Sequence, residues 1–166
     1  GSLDLAELYL KMAINSDARD AVARGLLAAV RIQQDKPGEA LELLGDQSQL
    51  MTDGQSGFLA LAGQANLQAG NIDRALEIFG AGAGQFPNDW RFVLGQALAY
   101  LRVLRTDEAI LLLETLDERD APEVRGTTMV LSLVQKGDLE QADSEARRLA
   151  EKYPDAPWAQ NLLAAW

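Results

Sequence analysis

Residues 55–88 read QSGFLALAGQANLQAGNIDRALEIFGAGAGQFPN. On both sides of Gly70 the apolar residues fall three and four apart, which is the spacing of a helix face. Gly70-Asn71 interrupts that pattern and Pro87 closes it, so the stretch reads as helix, tight turn, helix. In the second helix Ala75 and Phe79 stand one turn apart, a small residue beside a bulky one.

The same pair recurs along the chain. Ala6, Ala40, Ala75, Ala109 and Ala142 are spaced by 34, 35, 34 and 33 residues, and four residues after them come Leu10, Leu44, Phe79, Leu113 and Ala146. Five residues before the last four alanines stand Asp35, Gly70, Leu104 and Gly137. Glycine takes the left-handed conformation that ends a helix without penalty, whereas Leu104 takes it only under strain. Pro87, Pro122 and Pro154 mark further breaks. Together these signals place helices at about 3–14, 18–34, 38–48, 55–69, 72–84, 89–103, 106–117, 122–136, 139–152 and 156–165. Asn71, Thr106 and Asp138 are the expected N-caps, and Pro37, Pro122 and Pro157 suit first turns. Ala28, Gly63 and Ala97 on first helices, with the recurrent alanines on second helices, let paired helices approach closely.

The pattern resembles the tetratricopeptide repeat (TPR), whose signature is W-x2-L-G-x2-Y, then A-x3-F, then P, over about 34 residues. In residues 55–88, Ala62-Gly63 matches the L-G pair, Gly70 the turn, Ala75-x3-Phe79 the A-x3-F and Pro87 the closing proline, while Leu59 and Asn66 stand at the aromatic positions. The next unit supplies Tyr100, Ala109, Leu113 and Pro122, the fourth Gly137, Ala142 and Pro154, and the first keeps Ala28, Ala40 and Leu44. The resemblance implies an all-α fold, a TPR-like right-handed α-solenoid of antiparallel helix pairs with about ten helices. Residues 1–2 read as a cloning scar; the remainder divides into a half repeat 3–17, repeats at about 18–54, 55–88, 89–121 and 122–155, and a half repeat 156–166. Such a frame would leave Trp158, Leu162 and Trp166 exposed and favour weak self-association through the ends.

Proteins of this kind hold peptides or helices against the first helix of each repeat. Carrying over those groove positions gives Val22, Gly25, Ala29, Ile32 and Gln33, then Gly57, Ala60, Gln64, Leu67 and Gln68. The third unit gives Arg91, Leu94, Leu98, Leu101 and Arg102, and the fourth Val124, Thr127, Leu131, Val134 and Gln135. Arg91 and Arg102 are the basic members, too few to capture an acidic tail. The third and fourth units offer an apolar strip with polar edges, suited to an amphipathic helix or apolar peptide as partner. The stretches MVLSLVQKGDLEQA (129–142) and YPDAPWAQNLLAA (153–165) also resemble the long TPR lipoproteins of bacterial exopolysaccharide and exosortase (PEP-CTERM) systems. That resemblance implies an envelope-associated scaffold, in the periplasm or cell envelope rather than the cytoplasm. A cytoplasmic TPR regulator or sensor is the alternative.

Composition narrows the chemistry. Fifteen Lys and Arg against 25 Asp and Glu give a net charge of −10 over 166 residues, which repels nucleic acid and anionic lipid. With neither cysteine nor histidine, thiol nucleophiles, His-dependent triads and most zinc sites are excluded. No window is apolar for the roughly 18 residues a membrane span needs. Gly80-Ala-Gly82-Ala-Gly84 has the look of a phosphate loop, but it ends a helix where a nucleotide fold needs a preceding strand. Carboxylate pairs such as Asp107-Glu108 and Asp117-Glu118 leave an all-α carbohydrate-active enzyme as the rival from another class, yet solvated charge explains them. Asp73, Asp89 and Asp138 near helix starts fit capping and the helix dipole. The reading is a non-catalytic protein-interaction scaffold with no cofactor, metal or catalytic residue.

Close helix contact at the recurrent alanines makes Ala75→Leu and Ala109→Leu overpacking changes, each expected to cost about 1–3 kcal/mol in thermal melts. Ala81→Leu, read as exposed, is expected to cost far less.

Overall fold

The computed structural model describes residues 2–17, 20–46 and 55–165. Among them ten α-helices and no strand occur: α1 Ser2–Ser16, α2 Ala21–Gln33, α3 Pro37–Leu44, α4 Ser56–Gln68, α5 Ile72–Gln85, α6 Trp90–Arg102, α7 Thr106–Thr115, α8 Pro122–Lys136, α9 Leu139–Lys152 and α10 Pro157–Ala164. Helix ends lie within a few residues of those expected. The end expected for α3 reaches past residue 46, and Trp166 likewise lies outside the described residues. Two compact units, residues 1–95 and 96–166, make up the chain.

Four tight turns repeat one backbone device. Asp35, Gly70, Leu104 and Gly137 all have positive φ, at 56°, 81°, 61° and 86°. In each turn the next residue donates its N–H to the carbonyl five positions back: Lys36 to Arg31, Asn71 to Asn66, Arg105 to Tyr100 and Asp138 to Leu133, all at 2.9 Å. The left-handed residue itself donates three positions back, which completes a Schellman motif and satisfies carbonyls the helix end would otherwise orphan. The residue that closes each first helix is also the N-cap of the second. Its carbonyl accepts the N–H of the recurrent alanine: Ala40 from Lys36, Ala75 from Asn71, Ala109 from Arg105 and Ala142 from Asp138.

Capping chemistry is less uniform. Asp138 accepts from Gln141 N at 3.1 Å and Asp20 from Ala23 N at 2.9 Å, as good N-caps do. Asn71 is an N-cap by position, but its side chain donates to Asn66 Oδ1 instead. Thr106 is the first helical residue and Arg105 the cap, because the five-residue offset from the turn overrides side-chain preference. Pro37, Pro122 and Pro157 all stand in first turns as expected. Pro122 thus opens α8, whereas Pro87 and Pro154 lie in the turns before α6 and α10.

In the first unit α1 packs on α2, α2 on α3 and α4, and α4 on α3 and α5. Aromatic rings set the spacing by lying on glycines. A Cβ added to Gly25 would collide with Phe58, one on Gly63 or Gly95 with Phe79, and one on Gly82 with Phe92. Phe79 and Phe92 are 3% and 0% exposed, so these contacts belong to the core. In the second unit α8 packs on α7, α9 and α10, and Leu149 and Trp158 approach Gly126. Trp158 also tilts against Tyr153 at 5.3 Å. Trp158 and Leu162 are therefore half-buried rather than exposed. Ala40, Ala75, Ala109 and Ala142 are fully buried. Ala6 is exposed instead, on a helix whose Leu5, Leu8, Tyr9 and Met12 are more than half exposed. The buried Arg31 binds Glu7 of α1 at 2.8 Å and Glu39 of α3 at 2.6 Å, tying three helices together. That guanidinium, followed by Lys11 and Gln34, holds the Glu7 carboxyl well below the usual carboxylate range.

Ala81 is half-buried, so the comparator for the overpacking melts is Ala69→Leu at an exposed position. Leu104 combines a left-handed backbone with a side chain 72% exposed, so it bears the strain with little burial in return. Leu104→Gly is expected to raise stability by about 0.5–1 kcal/mol, the relief of about 1–2 kcal/mol of strain less glycine's chain-entropy cost. Gly70→Ala is expected to lose about 1 kcal/mol. Urea midpoints of the two variants check the sign.

Candidate functional site

Exposure along the first helices follows a helical stripe narrower than the carried-over set. In α2, Val22 and Leu26 are 64% and 54% exposed, Ala29 is half-buried and Gln33 is exposed. The same offsets in α4 give Gly57 and Leu61 half-buried, Gln64 exposed and Gln68 half-buried. Offsets of 0, 4, 7 and 11 residues lie within about 60° of one another at about 100° per residue. Positions at offsets 3 and 10 lie about 60–80° to one side, and in α2 and α4 they turn inward.

This corrects several expected groove residues. Leu67 is 9% exposed and Leu94 4%, so both belong to the packing, as do Gly25, Ile32 and Ala60. Leu101 and Thr127 are half-buried at the same offsets, and Val134 is 39% exposed. The remaining residues stand nearer the surface: Gln64, Arg91, Arg102 and Gln135 exposed, Gln68 and Leu98 half-buried, and Leu131 55% exposed. The physical reason is that a first helix packs on two neighbours in succession, as α4 does on α3 and α5, which covers all but a narrow strip.

In the first unit the stripe borders a recess of ≈330 Å³, whose lining includes Val22, Leu26, Ala29, Phe58, Leu61 and Arg91. Leu26, Phe58 and Leu61 were missing from the carried-over set. Their signal was the helical periodicity itself, since Leu26 follows Val22 and Leu61 follows Gly57 by four residues. The edge of the recess is charge-neutral. Arg91 donates Nε to Asp89 Oδ1 at 2.8 Å and a terminal nitrogen to Oδ2 at 2.5 Å, with Ser56 Oγ at 3.3 Å. The Arg91 guanidinium holds the Asp89 carboxyl below its usual value, so the pair remains ionised and mutually satisfied. Gln68 keeps a buried Oε1 without a hydrogen-bond partner.

In the second unit Leu98 and Leu101 of α6 lie beside α8, where Gln135 donates Nε2 to the Leu101 carbonyl at 3.5 Å. Leu98 and Leu101 are half-buried there, and Leu131 and Val134 of α8 are 55% and 39% exposed. The same offsets give Arg91, Gly95, Leu98 and Arg102 in α6 and Val124, Thr128, Leu131 and Gln135 in α8, of which Gly95 and Thr128 are buried. Across all four first helices the stripe contains no carboxylate, although the chain carries 25. Such a surface can bury apolar groups and donate amide hydrogen bonds; it has no acid or base placed for catalysis. No described helix is long and apolar enough to cross a membrane.

Solved structures share this fold. TTC0263, a thermophilic TPR protein of Thermus thermophilus, superposes with a TM-score of 0.81 at 19% identity, covering 98% of this chain and 89% of its own. A tetratricopeptide repeat protein from Parabacteroides merdae gives 0.75 at 18% identity, over 99% of this chain and 66% of its own. MamA RS-1, as a double mutant, gives 0.67 at 18% identity, over 87% and 82%. No family model and no curated protein matches the chain. The likeness shows the fold, that of TPR proteins; the exopolysaccharide resemblance gains no support from it.

The inward turn of offset 3 makes Leu94→Ala a core truncation, expected to cost about 2–5 kcal/mol. Leu131→Ala, on the stripe, is expected to change stability by about 0.5 kcal/mol or less. Denaturant unfolding of both variants checks the register.

Proposed function

We propose that this chain is a non-catalytic protein-interaction scaffold that holds an apolar peptide, or the apolar face of a partner helix, against its first-helix stripes. The observation that carries this reading is the exclusion of carboxylates from those stripes in a chain of net charge −10. Apart from Glu123 in the first turn of α8, the acidic side chains of these repeats lie in the turns and second helices, where Arg74 meets Glu77, Arg105 meets Glu108 and Arg147 meets Asp143. The stripes present Val22, Leu26, Leu61, Leu98 and Leu131 among glutamines. A partner seated there gains from apolar burial, at about 25 cal/mol per Å² before ordering costs are subtracted. Affinity then depends little on salt, while the acidic remainder of the molecule speeds the approach of a partner with some basic residues. The proposal extends to an envelope setting on the strength of the C-terminal stretch's resemblance, which cell fractionation of the full-length protein tests.

The binding test is a selection from a displayed peptide library. Enriched sequences are expected to place apolar residues at helical spacing and to bind equally at low and high salt. Leu26→Ser with Leu131→Ser is expected to weaken selected peptides at least tenfold with helical circular dichroism unchanged, since both leucines are more than half exposed. Enrichment of acidic tails that lose binding with Arg91→Ala plus Arg102→Ala would overturn the reading.

A further inference from the structure

Among the described residues two cationic side chains are almost wholly buried, Arg31 at 6% and Arg125 at 7% exposure. They are accommodated in opposite ways. Arg31 is surrounded by acceptors: both Glu7 oxygens, Glu39 and Gln34. Arg125 donates Nε to the Leu113 carbonyl at 3.2 Å, in the last turn of α7, and has no carboxylate within ion-pair distance among the described residues. That bond adds a second donor to a carbonyl that already accepts the Leu116 N–H at 3.3 Å, and it places the cation at the negative end of a helix. It leaves the terminal amino groups of the guanidinium, a fork suited to bidentate carboxylate recognition, unspent.

Arg125 lines a cleft of ≈430 Å³ formed by α7, α8 and α9. This volume falls within the range of about 300–1,000 Å³ typical of small-molecule sites. Ile110, Met129 and Leu133 supply an apolar part of its wall. Most of its other charges are already committed. Arg148 meets Glu118 and Glu145 at 2.7 Å each, and Lys152 also pairs with Glu118. What remains in the wall is the buried cation of Arg125 and one carboxylate outside any ion pair, Glu114. Three glutamates in the wall disfavour a phosphate or other dianion, whereas one cation, one anion and an aliphatic surface match a zwitterion with an apolar body.

We propose that this cleft binds an aliphatic α-amino acid, its carboxylate on the Arg125 guanidinium, its ammonium toward Glu114 and its side chain against Ile110, Met129 and Leu133. The site shares no residue with the first-helix stripes, so it stands or falls independently of the scaffold reading.

The experiment is an amide-resolved NMR titration of the whole chain with three probes. L-leucine carries both charges, leucinamide lacks the carboxylate, and 4-methylpentanoate lacks the ammonium. L-leucine is expected to shift amides of residues 125–133 and 141–148 and to saturate with a Kd of about 1 mM or tighter. Leucinamide is expected to bind at least tenfold more weakly. Glu114→Gln, a change at an exposed position, is expected to weaken L-leucine several-fold and leave 4-methylpentanoate unaffected. Arg125→Gln is expected to abolish binding of both carboxylates. Should the loss of the α7 cap unfold that variant, the leucinamide and Glu114→Gln comparisons decide on their own. No response to L-leucine, equal binding of leucinamide, shifts confined to other residues, or an equal effect of Glu114→Gln on both carboxylates would each overturn the assignment.

Discussion

One left-handed residue per repeat governs the rest of the structure. In each of the four turns the residue after it serves two helices, ending one through its N–H and starting the next through its carbonyl. The recurrent alanine is the residue whose N–H that carbonyl accepts, so its offset of five from the left-handed position is set by backbone hydrogen bonding rather than by side-chain choice. One turn past a tight junction the two helices have hardly diverged, which leaves no space for a larger side chain. All four alanines are fully buried there. The periodic alanines and the periodic left-handed residues are two expressions of one constraint. Asp35 and Leu104 show that the constraint acts on the backbone, since both adopt it without glycine's freedom.

That is why the fold was legible in the sequence. Turn residues, prolines and small residues at helical spacing are local signals, and they located the helices to within a few residues. What was not legible depends on neighbours distant in sequence. Leu67 and Leu94 were carried over as groove residues, but whether a position 60–80° from the stripe is covered depends on how the helices before and after it pack. Phe58 on Gly25, Phe79 on Gly63 and Phe92 on Gly82 leave no periodic trace, because the spacing from ring to glycine differs in each pair. Arg105 as an N-cap violates side-chain preference, and only the turn's hydrogen-bond register reveals it.

The distribution of charge bears on function more directly than its sum. A net charge of −10 suggests an acidic surface throughout, yet the first-helix stripes hold glutamine, aliphatic residues and the two arginines Arg91 and Arg102. With nearly all acids in turns and on second helices, burial of a stripe would strip no carboxylate of its water.

Helix α8 shows how one element can serve two unrelated surfaces. Arg125, Met129 and Leu133 face the cleft, and Val124, Leu131 and Gln135 the stripe. At about 100° per residue the centres of these two sets are roughly 140° apart, so a ligand on one face has no direct contact with a partner on the other. Gly126 and Val130 lie buried on one side of the helix between the two sets, and Ser132 lies buried on the other. Gly126 brings α8 close to a neighbour: a Cβ there would stand 2.9 Å from Leu149 of α9. Ser132 turns its hydroxyl back to the Thr128 carbonyl at 2.7 Å, so this close packing strands no polar group. The helix is thus held by its neighbours along positions that neither set uses, which leaves the two faces free to differ in chemistry without unsettling the fold.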